Sequence, residues 1–318
     1  MVEGRGVAAL TAALLLSRSG VTCSLTGPDP APGPVLLLHP GTLSLLKQVW
    51  ALAPADLPAL HRVRLRAVKP LPPDEPALLE QPSVVIGSET LTATLRQRLE
   101  AAFPKVLTGS SAGAEASRWR LTASGRTAPG TLADTSICAM AEIAPSRHFL
   151  PDRAIFEALP GGWLFLLPLG ESRALLQAQR EAADCQDPLE ANLAESQIMP
   201  RLIGSVSGER QTFQATPRLA EPCTGENWLA IGGAAMALPP VTGDGVGNGI
   251  RTAIWAVASL RAIQRGEPPG PVREFYAWRL RQAFNRMAEH TGTPSAPEPD
   301  PTYEPPYRLD GLDLLPQK

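Results

Sequence analysis

Lysine is scarce in this chain. Of 29 basic residues only Lys47, Lys69, Lys105 and Lys318 are lysines, which leaves few candidates for a catalytic lysine. Cysteine is sparse as well: Cys23, Cys138, Cys185 and Cys223 stand far apart with no CxxC pair, which argues against a disulfide scaffold or a structural zinc site. The four histidines, His39, His61, His148 and His290, are equally scattered, so no metal centre is expected. Neither sign of charge dominates. With 29 basic and 31 acidic residues the net charge is -2, and there is no electrostatic footprint for nucleic acid or an anionic membrane surface. No apolar run reaches the roughly 18 to 20 residues needed to span a bilayer. The run Val7 to Leu16 has the length of a signal-peptide core, but it follows Glu3 and a single arginine, and no A-x-A-like cleavage site comes after it. A cytoplasmic protein without a membrane span is the expectation.

Proline is in excess, 34 of 318 residues, about double the usual share of roughly 5 per cent. The length suits about two domains or one large layered domain, and an apolar share of 44% is enough for a sizeable core. Residues 1 to 26 suggest strand, glycine turn, apolar helix (Ala8 to Arg18), a Gly20 cap, and a second strand over Val21 to Leu25. Further helices are expected at Pro40 to Val49, Ser88 to Phe103, Leu189 to Ile203, Asn248 to Arg265 and Val272 to Glu289. Between 117 and 185 short segments broken by Gly and Pro predict strands, among them Ile137 to Ile143, Ala154 to Leu159, Trp163 to Leu167 and Ala174 to Gln179. The expected architecture is α/β: a Rossmann-type domain with a parallel sheet, an inserted, mostly antiparallel β-sheet domain for substrate, and C-terminal helices. The cofactor domain is expected over 1–60, 84–135 and 216–290, and the substrate domain over 61–83 and 136–215. A proline-rich tail without regular structure is expected over 291–318.

Two glycine-rich segments carry the chemistry. Gly4, Gly6 and Ala9 form G-x-G-x-x-A between a strand and a helix, with Ala8 beside them. The first glycine permits the tight turn, the second lets the backbone approach a diphosphate, and a small third residue packs helix against strand. The helix start then offers free N–H groups and a positive dipole end. The second segment runs from Trp228-Leu-Ala-Ile-Gly-Gly233 through Pro239-Pro-Val-Thr-Gly243-Asp244-Gly245-Val246-Gly247-Asn248 into a helix, so successive amides again face a ligand edge.

The second segment resembles the C-terminal flavin motif of the FAD-dependent aromatic monooxygenases and tryptophan halogenases. In that family a Gly-Asp-Ala-Ala stretch reaches the ribityl chain, and a Pro-x-x-Gly-x-Gly loop covers the isoalloxazine ring. Ala123-Ser124-Gly125-Arg126 is similar to the family's Asp-Ala-Ser-Gly-Arg, and Gly161-Gly162-Trp163-Leu-Phe165-Leu-Leu-Pro168 to its Gly-Trp-Trp-x-x-x-Pro strand. The matches fall in the family's order over roughly residues 1 to 290. The resemblance implies FAD on Gly4, Gly6, Ala8, Ala9, Thr26, Arg126, Gly233, Gly245, Val246, Gly247 and Asn248, with Trp163 and Phe165 as the floor between flavin and substrate. Asp244 would be the polar group near the reacting face. It implies hydroxylation of an aromatic ring through a flavin C4a-hydroperoxide, with NAD(P)H or a separate flavin reductase as electron source. The Ala-Ser-Gly-Arg and Gly-Gly-Trp segments together look like flavoproteins that mature quinone cofactors by oxidising a tryptophan of a partner protein.

The chain also departs from the pattern. Thr26 stands where an acid holds the adenosine ribose, and Ser88 where many relatives have an arginine. Thr122 and Gly233 replace aspartates. Each lost charge-assisted hydrogen bond removes about 1.5 to 3 kcal/mol, so weak FAD binding is expected. Three alternatives stay open: an FAD-free binding or assembly partner, an alkene reductase, and a halogenase using Lys69.

Overall fold

A strand of two residues, Val2–Glu3, sits inside a sheet that has five strands among the described residues. It pairs in parallel with Leu25–Thr26 and with Arg120–Thr122, which pairs in parallel with Trp228–Ala230; Thr224–Gly225 closes the edge antiparallel. Parallel neighbours need a crossover, supplied first by the helix Val7–Arg18. That helix is apolar on every side, and every residue from Ala8 to Leu16 is buried, as a helix packed on both flanks requires. The second strand is shorter than its alternating sequence suggests. Its partner offers only Val2 and Glu3, which meet Leu25 and Thr26.

The computed structural model describes residues 1–29, 33–107, 119–123, 130–132, 136–181, 187–206 and 208–291. Arg126, Cys185 and the tail from 292 onward lie outside them. Among the described residues no helix is long and apolar enough to cross a membrane, and no cluster of three His, Cys, Asp or Glu side chains is placed to hold a metal.

The second sheet has nine strands among the described residues. Their order is Ile203–Val206, Ser136–Pro145, Ala174–Glu181, Gly162–Pro168, Arg153–Leu159, His61–Lys69, Ala77–Gly87 and Val35–Leu38, with Gln211–Gln214 also on Ser136–Pro145. Every pairing is antiparallel except that of His61–Lys69 with Arg153–Leu159. The strand Ala77–Gly87 runs unbroken through residues 83 and 84, so 84–87 and 35–38 extend this sheet rather than the first. Successive side chains of a strand point to opposite faces. Ile155, Leu164, Leu166 and Leu176 form one face, which packs on Leu189 and Met199. Phe156, Trp163, Phe165 and Gln177 belong to the other.

The expected helix over 189–203 is two short helices, Pro188–Glu195 and Met199–Leu202. The break has a cause. Ser196 leaves the helix, its Oγ accepts from the Met199 amide at 2.9 Å, and it donates to the buried carboxylate of Glu157 at 2.5 Å.

The strand His61–Lys69 carries a β-bulge between Val63 and Leu65, where the amides of Arg64 and Leu65 both donate to the Asp152 carbonyl at 2.8 and 3.1 Å. A bulge re-aims the side chains beyond it. Val63 therefore packs with Ala154, Leu167 and Leu175 on one face, while Ala67 packs on the opposite face with Leu164 and Leu176.

The helices Gly245–Gln264 and Pro269–Thr291 complete the first layer. Fully buried Tyr276 ties the last helix to the sheet by donating to the Ala230 carbonyl at 2.5 Å.

Candidate functional site

Gly4 has φ +109, and its amide donates to the Thr26 carbonyl at 2.8 Å, which makes the sharp turn out of the first strand. Gly6 is the N-cap of the first helix, at φ -80 and ψ -177. No side chain caps this helix, and no acid lies in its first turn. A Cβ added to Gly6 would meet nothing within 4 Å, so the turn faces open space.

The helix Gly245–Gln264 begins beside it, three residues earlier than expected from sequence. The first helix start touches the turn after Trp228–Ala230 and the second helix at small residues. Gly232 has φ +58, and a Cβ there would approach the Ala8 Cβ to 2.7 Å; one at Gly249 would approach it to 3.5 Å. Added Cβ atoms at Gly233, Gly243 and Gly245 meet nothing within 4 Å.

Asp244 occupies the N-cap of this second helix without capping it. An N-cap aspartate ordinarily accepts from the N2 or N3 amide. Here its carboxylate turns away to ion-pair with Arg251 and to accept from His39 Nε2 at 3.1 Å and Thr42 Oγ1 at 3.3 Å. His39 in turn accepts the Gly41 amide on Nδ1 at 3.1 Å, which assigns the ring proton to Nε2. Burial opposes ionisation of Asp244, but the His39 hydrogen bond and the Arg251 charge outweigh it and hold the carboxyl below its ordinary value. The result is a fixed carboxylate and a helix start with no side-chain cap.

The second sheet supplies the facing wall. Gln177, Phe165 and Phe156 lie directly opposite one another on three neighbouring strands, and the Trp163 ring is tilted against Phe156 at 6.0 Å between centroids. Past the bulge, Arg66 reaches over the same row, its guanidinium 5.9 Å from the Phe156 ring centroid and 5.8 Å from that of Phe165.

These pieces enclose one cavity of about 450 Å³. Of the residues expected from sequence, Gly6, Ala8, Gly233, Asp244, Gly245, Val246, Trp163 and Phe165 line it. Gly4 and Thr26 lie at the turn just outside, and Ala9 is buried in the helix. Gly247 lies under the Asp244 carboxylate, which a Cβ there would strike. Asn248 is buried and donates to the Met236 carbonyl at 3.0 Å, a bond that holds the loop to the helix. Sequence reasoning passed over His39, Arg251, Arg66, Phe156 and Gln177. Only Phe156 carried a signal, as an aromatic in an expected strand.

The departures from the flavin pattern have local partners. The Thr26 hydroxyl turns back to the Val2 carbonyl at 3.4 Å, and Thr122 donates to Glu3 Oε2 at 3.0 Å. The Gly233 carbonyl accepts from Arg218 at 3.1 Å. Asp29, three residues past Thr26, pairs with Arg96 at 2.5 Å and lies 3.9 Å from Arg5 in the glycine turn. Lys69 is outside the cavity. It lies opposite Glu157 in the parallel pairing, and its Nζ donates to that carboxylate at 2.8 Å.

A glycine turn opening a parallel sheet, joined across one cavity to a large and mainly antiparallel sheet, is the architecture of the FAD-dependent monooxygenases and halogenases, and this chain has that fold. Comparison with protein-family models and with curated protein sequences yields no match. Solved structures do match. The peptidyl tryptophan dihydroxylase QhpG, essential for tryptophylquinone cofactor biogenesis, superposes with a TM-score of 0.71 at 21% identity, over 91% of this chain and 72% of that one. The flavin-dependent halogenase CmlS gives 0.75 at 15% identity, over 91% of this chain and 62% of that one, so this chain spans less than two thirds of the halogenase. The probable FAD-dependent monooxygenase pqsL from Pseudomonas aeruginosa gives 0.66 at 12% identity, over 92% and 93%.

Proposed function

We propose that this chain binds FAD across the two helix starts and hydroxylates an aromatic ring held against Phe156, Trp163 and Phe165, the ring being a tryptophan side chain of a partner protein. The observation that carries the reading is the single cavity lined by Gly6 and Ala8, by Gly233, Gly245 and Val246, and by Trp163 and Phe165. The residues present fit a dinucleotide-linked flavin. Two helix starts without side-chain caps meet there, and glycines on both leave the space a Cβ would take. The partner-protein substrate is suggested by the likeness to QhpG, whose substrate is peptidyl tryptophan.

Bound FAD, reduced by NAD(P)H or by a separate flavin reductase, supplies the activation of dioxygen. The chain does the rest. Amides of the first helix turn donate to the diphosphate, which the dipole favours. Amides at Gly245 and Val246 are left free for the ring edge because Asp244 is engaged elsewhere. The aromatic row orients the substrate ring and, with Val241 and Leu167, excludes water, a condition for productive oxygen chemistry. Binding is weak, since Thr26 and Thr122 spend their hydroxyls on the protein itself.

Halogenation is disfavoured by the position of Lys69. One observation favours a second reading, an FAD-free binding partner: no acid occupies the ribose position at Thr26. An absorption spectrum of the purified protein followed by titration with FAD separates the two. Saturable binding, then oxygen consumption that rises when a tryptophan peptide is added, supports the monooxygenase. Absence of binding at millimolar FAD supports the partner.

A further inference from the structure

Among the described residues the cavity is lined by two charged side chains, Asp244 and Arg66. Asp244 is fully engaged by His39, Thr42 and Arg251. Arg66 is not. Among the described residues it has no hydrogen bond and no ion pair, and its Nε is sealed from solvent with no acceptor. Its neighbours are the faces of Phe156 and Phe165, and burial pushes its pKa down from the ordinary value. An arginine stays charged under such burial, so it keeps five donors and needs acceptors. On the strand beyond Phe165, lining the same cavity, lies Gln177, whose side chain is also without a partner among the described residues. Arg66 is half-buried; a cation taken partly out of water is favoured by a counter-charge, and among the described residues none meets it.

We propose that the counter-charge comes with the ligand: the cavity takes an aromatic substrate bearing a carboxylate, the ring lying along Phe156, Phe165 and Trp163 and the carboxylate on the fork of Arg66, with the Gln177 amide beside it. This rests on the aromatic-oxidation reading above and narrows its substrate. A planar guanidinium stacked on two rings is already oriented for a bidentate contact. The rings in turn form a slot next to the charge. The same chemistry has two sources, a free aromatic acid or a peptide whose tryptophan adjoins an acidic residue.

Isothermal titration of FAD-loaded protein with indole-3-acetate and with indole-3-acetamide decides it, alongside the peptide pair Ac-Trp-Glu-NH2 and Ac-Trp-Gln-NH2. The acid of at least one pair should bind about tenfold or more tightly than its amide, and the pair that discriminates names the source. Arg66→Met, which keeps length and apolar contact, should remove the preference, and Arg66→Lys should restore part of it. Three results overturn the proposal: equal affinity for acid and amide, no binding of either pair at millimolar concentration, or an Arg66→Met protein that keeps its acid preference but loses FAD affinity, which would assign the charge to the flavin. Repeating the titrations without FAD keeps the two claims apart. A chain that binds no FAD yet prefers acids through Arg66 fails the flavin reading alone, and one that binds FAD and ignores the carboxylate fails this one alone.

Discussion

Replacing Gly6 by aspartate is expected to strengthen the fold while it destroys FAD binding, two effects of opposite sign from one side chain. Gly6 is an N-cap in extended conformation, so an L-residue fits its backbone, and an added Cβ meets nothing within 4 Å. Aspartate is a better N-cap than glycine by a few tenths of a kcal/mol. Its charge at a helix start whose first turn has no acid adds about 0.3 to 1 kcal/mol. Together these predict a gain of about 0.5 to 1 kcal/mol, which for a chain of this size raises Tm by roughly 1 to 3 °C. The same carboxylate occupies amides that the diphosphate needs and repels its charge. Losing two charge-assisted hydrogen bonds of about 1.5 to 3 kcal/mol each weakens FAD binding by at least about a hundredfold. Quenching of flavin fluorescence reads the affinity, and a thermal melt without FAD reads the stability. Unchanged affinity would refute the placement of the diphosphate at this turn. A fall of several degrees in Tm would refute the open space around Gly6.

Gly232→Ala should act through packing instead: a positive φ of +58 and a Cβ 2.7 Å from that of Ala8 predict a loss of about 2 to 4 kcal/mol, seen as a lower urea midpoint, and wild-type stability would count against the contact of this turn with the first helix. Asp244→Asn should destabilise the protein in a pH-dependent way. The folded pKa of Asp244 is lowered, so its contribution is fully present above the unfolded value of about 3.9 and is lost as pH falls through the lowered value. The gap between wild type and variant in urea melts should therefore be largest near pH 7 and close below about pH 4; a gap that is constant with pH would exclude this role. Lys69→Met leaves Glu157, 0% exposed, without its cation, and should cost about 2 kcal/mol in a chemical melt. FAD affinity and aromatic oxidation should be retained; loss of turnover in a folded Lys69→Met protein would revive the halogenase reading.

The two glycine turns that open onto the cavity were legible because glycines at fixed offsets are demanded by backbone geometry and appear in the sequence as such. Gly4, Gly6 and the run from Gly243 to Gly247 mark the two helix starts before any fold is known. The partners of Asp244 were not legible. His39 is 205 positions away, and nothing local distinguishes it from a histidine before any proline-headed helix. The strand Val35–Leu38 escaped notice inside a proline-rich stretch, since its four residues acquire meaning only beside Ala77–Gly87. The single helix expected over 189–203 failed because apolar periodicity continues through Ser196, whose departure is set by Glu157 on another strand.

Which cation of the strand His61–Lys69 reaches the cavity turns on a single extra residue. In an unbroken strand, side chains of equal parity share a face. Val63 points to the cavity side, with Ala154 and Leu167, and by parity Lys69 would join it there while Arg66 turned to the helices. The bulge between Val63 and Leu65 exchanges them. Arg66 comes to lie over Phe156 and Phe165 with no partner among the described residues, and Lys69 goes to the far face, where Glu157, with Ser196 beside it, already fills the role of counter-ion. A point-charge ammonium next to the aromatic slot would suit the capture of a small oxidant. A stacked guanidinium suits a planar anion carried by the substrate itself. The cation that faces the aromatic row is thus chosen by where the ladder slips, and a reading of residue types along His61–Lys69, without that slip, selects the wrong one.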